Sequence, residues 1–147
     1  MRVSVIGGSE VTDAERAVAE ELGRRLGERD HTVVCGGLGG VMRAVCAGAE
    51  VVGGETVGIL PGTDPTAANE HVGTAVATGL GHARNALVPL NGHAVVAVDG
   101  GPGTLSELGY AAIYDRPVAG LGTYDLDFVE RVETPEAAVA FVEAAVE

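Results

Sequence analysis

The sequence predicts an α/β fold of the Rossmann-like, doubly wound kind, with a mainly parallel sheet of about six or seven strands and helices on both faces. Three observations predict it. Short apolar runs alternate with segments of helical periodicity along the whole chain, the pattern of repeated strand–helix units. The runs are continuously apolar rather than alternating, as strands covered on both faces are. Three of them run directly into glycines, at Gly7-Gly8, at Gly36-Gly37-Leu38-Gly39-Gly40 and at Gly100-Gly101-Pro102-Gly103.

Taken in order, residues 2–6 (RVSVI) read as a strand that turns at Gly7-Gly8-Ser9. Thr12-x-x-Glu15 is a capping box, and Ala14, Val18, Leu22 and Leu26 then recur at helical spacing through Arg29. Residues 31–35 (HTVVC) form the second strand. Residues 41–52 carry Val41, Val45 and Ala49 at i, i+4 spacing and stop at Gly53-Gly54, so they form a helix. Residues 55–60 (ETVGIL) are the third strand, ended by Pro61-Gly62. A polar, proline-containing loop covers 63–71, and a weak fourth strand covers 73–78. A helix is expected over 80–90, a fifth strand over 93–98 (HAVVAV) and a helix over 105–114. Residues 116–121 give a sixth strand and 128–132 a last edge strand. Thr134-Pro135 opens the final helix, with an N-cap followed by proline at the first helical position. No linker, repeat or low-complexity stretch interrupts the pattern, so residues 1–147 read as a single domain.

Composition excludes several functions. Apolar residues make up 46% of the chain and aromatic ones 3%, so the core must be built of Val, Leu, Ile and Ala. Acidic residues number 21 against 9 basic ones, a net charge of −12, and every basic residue is Arg. Such a charge argues against nucleic acid, whose phosphates need a basic face, and against an anionic membrane. It is similar to the composition of proteins from salt-loving archaea, the alternative being an acidic mesophilic protein from a GC-rich genome. In the cytosol of such archaea, at molar salt, the Debye length falls to about 3 Å and self-repulsion is screened. The apolar runs are too short to span a bilayer, and the N-terminus reaches glycine too early for a signal peptide, so a cytoplasmic location is expected. Cys35 and Cys46 sit in no CxxC pair and read as small buried hydrophobes. Without Lys there is neither a P-loop nor a Schiff base to pyridoxal phosphate. His31, His71, His82 and His93 show no HxH or HExxH spacing, and no Ser lies in a GxSxG elbow. No metal and no resident cofactor is expected.

In an open α/β sheet the carboxyl ends of the strands line one edge, and ligands bind there. Glycine lets backbone N–H groups approach an anion, and a following helix N-terminus adds a favourable dipole. A single Gly-Gly after a strand is ordinarily just a tight turn, but three such loops on one edge point to a phosphate or nucleotide site. Its candidates are Gly7, Gly8, Ser9, Gly36, Gly37, Gly39, Gly40, Met42, Gly100, Gly101, Gly103 and Thr104. A dinucleotide is not expected, because Gly7-Gly8-Ser9-Glu10 is not GxGxxG and the second strand ends without an acid for a ribose hydroxyl. Arg84 lies in a stretch with few charges and suits a phosphate as a bidentate donor. Glu107 stands three residues after Thr104, so spacing reads it as a partner in a capping box, with a catalytic role as the alternative.

The run Gly100-Gly101-Pro102-Gly103-Thr104-Leu105-Ser106-Glu107 resembles the PGGxGTxxE motif of the Lonely Guy family, also labelled lysine decarboxylase-like. Residues 34–42 (VCGGLGGVM) look like that family's YGGGxxGLMG turn. Residues 56–61 (TVGILP) look like its VIGVIP strand, and 81–85 (GHARN) like its MHxRK segment. The resemblance implies a phosphoribohydrolase that cleaves the N-glycosidic bond of a nucleoside 5′-monophosphate, releasing base and ribose 5-phosphate. By position, Arg84 and Glu107 match the family's catalytic pair, and residues 100–104 its phosphate loop. A homodimer or higher homo-oligomer is implied as well. Two positions depart from the pattern: Asp99 stands where the motif opens with Pro, and Asn85 where the family has Lys. This altered version is also similar to molybdenum cofactor carrier proteins. The alternative is therefore a non-catalytic binder or carrier of a phosphorylated ligand such as a nucleotide or molybdenum cofactor.

Overall fold

In the computed structural model, which describes residues 1–147, seven strands form one all-parallel sheet in the order β4-β3-β2-β1-β5-β6-β7. The strands are β1 (Arg2–Gly7), β2 (Thr32–Cys35), β3 (Thr56–Leu60), β4 (Thr74–Ala77), β5 (Ala94–Val98), β6 (Val118–Leu121) and β7 (Val129–Arg131). The helices are α1 (Asp13–Glu28), α2 (Val41–Val51), α3 (Leu87–Asn91), α4 (Pro102–Ile113) and α5 (Pro135–Val146). The fold is thus the α/β Rossmann-like one that the sequence pattern predicts. No helix is long and apolar enough to cross a membrane.

Side chains alternate across β1 and divide the core into two layers. Val3 and Val5 join Leu22 and Leu26 of α1, Val45 and Ala49 of α2, and Val139 and Val142 of α5 on the larger side. Ile6 faces the other way, with Val34, Ile59, Val95, Val88 of α3 and Leu108 and Ala111 of α4. Ser4 also points to this second face. It is fully buried, and its hydroxyl donates to the Val88 carbonyl at 2.6 Å, which offsets the cost of burying it.

Helices α1 and α2 approach each other through glycine. A Cβ on Gly23 would overlap the backbone carbonyl of Val45, and one on Gly48 would overlap that of Glu20. Glycine inside a helix costs about 1 kcal/mol against Ala, so each of these positions gives up helix propensity for backbone contact. Side-chain caps close α1 and α5. Thr12 Oγ1 accepts from Glu15 N at 3.1 Å while Glu15 accepts from Thr12 N at 2.8 Å, and Thr134 Oγ1 accepts from Ala137 N at 3.1 Å.

Two expected helices differ in the structure. The continuous helix over 80–90 is a 3₁₀ segment, Gly81–Ala86, followed by the short α3. Pro89 explains the break. Inside a longer α-helix it would leave the Asn85 carbonyl without a donor and clash with it, whereas in the first turn of α3 its missing N–H is not needed. The helix expected over 105–114 begins at Pro102, with Gly101 as N-cap. The loop over 63–71 contains one 3₁₀ turn, Pro65–Ala67.

Gly48→Ala is expected to destabilise the protein. The gain of about 1 kcal/mol in helix propensity is outweighed by overpacking against a backbone carbonyl, which costs typically 1–3 kcal/mol. A lower urea midpoint at unchanged slope checks this; a rise in the midpoint would show that α1 and α2 part without penalty.

Candidate functional site

β1 is hydrogen-bonded to β2 on one edge and to β5 on the other, and the chain leaves the ends of β1 and β5 toward opposite faces of the sheet. Such a divergence opens a crevice at the carboxyl edge. A cleft of about 400 Å³ lies there, within the usual range for small-ligand sites. Its wall includes Gly7, Gly8 and Ser9 after β1, Gly36 and Met42 after β2, Arg84, and Gly101, Gly103, Thr104 and Glu107 of the α4 turn.

Gly37, Gly39, Gly40 and Gly100, grouped with these by sequence, lie outside the lining. Gly37 packs against Leu60 and Gly58, and its carbonyl accepts from Asn69 N at 2.9 Å. Gly40 is the N-cap of α2, wedged against the Gly8 carbonyl, and Val41 N donates to that same carbonyl at 3.0 Å. Gly100 sits against Thr104 and Tyr124, and Gly39 lies beside Ser9. These glycines shape the two loops rather than face the cleft. Conversely, Leu38, Pro61, His82 and Asn85 line it and were not among the candidates. His82 was legible as the first residue of His82-Ala83-Arg84, but only the 3₁₀ geometry of that segment sets both side chains on the cleft.

Arg84 is 8% exposed, and its guanidinium is tied to three acceptors from separate segments. Nε donates to the Ile59 carbonyl at 2.8 Å, Nη2 to the Gly36 carbonyl at 3.2 Å, and Nη1 to Asn85 Oδ1. Asn85 Nδ2 in turn donates to Ser106 Oγ at 3.1 Å, and Ser106 Oγ to the Gly103 carbonyl at 2.6 Å. Asn85, standing where a Lys was looked for, thus links Arg84 to the first turn of α4. A guanidinium has five N–H donors, so two remain for a ligand. Gly36 permits this arrangement, because a Cβ there would meet Arg84 Nη2 at 2.6 Å and Met42 Sδ at 2.7 Å.

Glu107 is not a capping partner. The cap of α4 is Gly101, whose N–H donates to Thr104 Oγ1 at 3.3 Å, and Glu107 lies a turn further on, 8% exposed, in the cleft wall. Burial pushes its carboxyl up to about 8, and the charge of Arg84 opposes that shift only in part. Near neutral pH the group is mostly a carboxylic acid, able both to donate and to accept. Burial also lowers the Arg84 pKa, yet a guanidinium keeps its proton. The first turn of α4 has no side-chain cap, unlike α1 and α5, and the N–H groups of Gly103 and Thr104 find no side-chain acceptor. Asp99, with φ of 55°, packs its carboxylate against Gly8 and stays out of the lining. Burial raises its pKa, as does Glu15 beside it. The cleft thus combines one guanidinium, one buried carboxyl and helix N–H groups without a side-chain acceptor.

The model of the SLOG cluster4 family matches this sequence over residues 1–147. The chain belongs to that family. This SLOG cluster4 protein is 36% identical to an uncharacterised protein of Archaeoglobus fulgidus over 96% of the chain and 93% of the relative. It is 32% identical to cytokinin riboside 5′-monophosphate phosphoribohydrolase LOG5 of Arabidopsis thaliana, over 82% of the chain and 57% of that enzyme. Among solved structures, the molybdenum cofactor binding protein of Rippkaea orientalis superposes with a TM-score of 0.93 at 29% identity, covering 99% of this chain and 97% of that one. The resemblance read from the glycine-rich motifs therefore places the SLOG cluster4 chain correctly, beside both Lonely Guy enzymes and molybdenum cofactor proteins.

The Glu107 carboxyl has a consequence for stability. Its folded pKa lies above the ordinary 4.5, so the folded state holds a proton that the unfolded chain has released. Stability from this group is fully present below about pH 4.5 and is lost as pH rises toward 8. Glu107→Gln removes that loss, so the variant is expected to melt higher than wild type by a margin that grows from pH 5 to pH 8.5, of order a few kcal/mol at most. Thermal melts at both pH values check this, and a margin independent of pH would place the carboxyl in water.

Proposed function

We propose that this protein binds a phosphorylated small molecule in the cleft and holds it as a binding or carrier protein for a nucleotide-like or molybdenum cofactor-like ligand. The observation that carries the reading is the Arg84 guanidinium, buried and bonded only to neutral oxygens in a chain of net charge −12. Leaving a buried cation without a counter-charge is costly, and an anionic ligand would supply the missing partner. Phosphate oxygens would take the two free guanidinium donors and the N–H groups of Gly103 and Thr104, where the helix dipole favours negative charge. With Glu107 protonated, no carboxylate in the cleft wall repels them. The neutral acid would then bond a hydroxyl or a ring edge of the ligand. The whole-length likeness to the Rippkaea orientalis protein supports this reading.

A second reading is favoured by the pair Arg84 and Glu107 together with the likeness to the Arabidopsis phosphoribohydrolase. In it Glu107, as a buried acid, would give its proton to the departing base nitrogen while the C–N bond breaks. Water would then add to the oxocarbenium-like carbon, and Arg84 would hold the phosphate. The cleft wall offers no second carboxylate to activate that water, whereas glycosidic hydrolysis is commonly run by two. This is why binding stands first.

The test is incubation of the protein, in molar KCl, with a panel of nucleoside monophosphates, following free base by chromatography and thermal stabilisation in parallel. Stabilisation without base release supports the binder. Base release that vanishes in Glu107→Gln supports the hydrolase. Arg84→Ala is expected to lose tenfold or more in affinity, since a hydrogen bond to a charged group contributes about 1.5–3 kcal/mol. Unchanged affinity would remove Arg84 from the site.

We infer further that two copies associate through α4. Leu105, Gly109 and Ile113 recur at i, i+4, i+8 along its outer face. Leu105 and Ile113 are exposed. Between residues 79 and 114 the only acids are Asp99 and the buried Glu107, whereas the other acids of the chain lie elsewhere. Few acids lie along this helix, the exposed Asp115 standing just past its end, so two like-charged molecules repel each other less here, and an open face at Gly109 lets the helices come close. Ile113→Asp is expected to shift the native mass by light scattering from dimer to monomer; a monomeric wild type would overturn the inference.

A further inference from the structure

The two cysteines take no part in the cleft lining, and the sequence presents them as unrelated. The fold brings them together. Cys35 is the last residue of β2 and Cys46 lies on the buried face of α2; their sulfurs are 3.5 Å apart, and both thiols are free. Neither exposes any surface. Cys35 adjoins the wall of the cleft: its own neighbour Gly36 and the nearby Met42 line it, Gly37 N donates to the Cys35 sulfur at 3.4 Å, and that sulfur lies 4.0 Å from the Met42 carbonyl.

We propose that Cys35 and Cys46 are a two-electron oxidation site, converted by a small peroxide into a reversible intramolecular disulfide. Bonding requires the sulfurs to close from 3.5 Å to about 2.05 Å. Cys46 is held in a packed helix and the Cys35 backbone is paired with Gly58 in the sheet, so the movement falls on the Cys35 side chain and, through the Gly37 N–H bonded to its sulfur, on the Gly36-Gly37 turn. The Cys35 sulfur attacks one peroxide oxygen, the O–O bond breaks, and water leaves a sulfenic acid. The Cys46 sulfur then attacks that sulfur, the S–O bond breaks, and a second water carries off the Cys46 proton. Two thiols lose two hydrogen atoms and one peroxide becomes two waters. The hydrogen bond from Cys46 holds the Cys35 thiol below its ordinary pKa, and the Arg84 charge adds to this, which suits Cys35 as the attacking sulfur.

The disulfide would reach the cleft through one atom. Gly36 O accepts from Arg84 Nη2, so displacing the turn loosens the guanidinium on which anion binding depends. This coupling rests on the proposed binding function; the disulfide itself does not.

The experiment treats the full chain in molar KCl with hydrogen peroxide and reads intact mass, then peptide maps without reduction. The expected result is loss of two hydrogen atoms per chain, a peptide pair joined through Cys35 and Cys46, reversal by dithiothreitol, and no cross-link in Cys46→Ser. Two cysteines that remain alkylatable, a gain of oxygen without a cross-link, or a link between chains would overturn the site. Adenosine 5′-monophosphate serves as the cleft probe. At ten times its Kd it should slow cross-linking about tenfold, because only the empty form reacts. Cross-linking at an undiminished rate with the probe bound would overturn the coupling. Failure of the probe to bind the reduced protein would count against the binding function and leave the disulfide intact.

Discussion

The central strand β1 is the constraint on which the site depends. Both of its edges are hydrogen-bonded, to β2 and to β5, so its carboxyl end is held in one place. The chain leaves that end as the Gly7-Gly8-Ser9 turn and leaves β5 as the turn into α4, and the two diverge over the sheet edge. The cleft is the space between them. Its geometry follows from parallel pairing at the middle of a buried sheet, where a slip of one residue would exchange the Val3 and Val5 side with the Ser4 and Ile6 side.

Arg84 depends on that frame. Its acceptors come from the ends of β2 and β3 and from the neighbouring Asn85, and Asn85 leads through Ser106 to the first turn of α4. A buried guanidinium is held in place only when several acceptors are already positioned, because desolvating it costs more than any single hydrogen bond returns. The same burial that presses on Arg84 keeps Glu107 protonated. The two effects combine: the cleft lining carries a positive charge and a carboxyl pushed up to about 8, in a protein of net charge −12.

Several contacts meet at the turn after β2. Cys35, Gly36 and Gly37 carry, in three consecutive residues, a thiol in contact with another thiol, an acceptor for Arg84, and a left-handed backbone position with φ of 78°. A Cβ at Gly36 would collide with Arg84 and Met42. One of the three hydrogen bonds that hold the guanidinium ends on this turn.

The sequence by itself determined the strand–helix alternation, the all-round apolar strands, the glycine turns at one edge and the caps at Thr12 and Thr134. Each of these is a local property, set by side-chain period or by the hydrogen bonds a residue can make to its own neighbours. It also placed the chain beside the Lonely Guy and molybdenum cofactor proteins, because motif spacing survives as a linear pattern. What only the tertiary structure decided depends on distant contacts. Local spacing made Glu107 a cap partner of Thr104, but Pro102 starts α4 earlier and burial makes Glu107 part of the cleft. Asn85 looked like a lost positive charge, yet its amide links Arg84 to α4. Asp99 showed in the sequence only as a departure from the motif's opening Pro, and the fold packs its carboxylate against Gly8. Cys35 and Cys46 carried no motif, and a strand end and a helix face put their sulfurs in contact. Burial, and the pKa shifts it causes, arise from atoms far apart in the chain, and no local pattern records them.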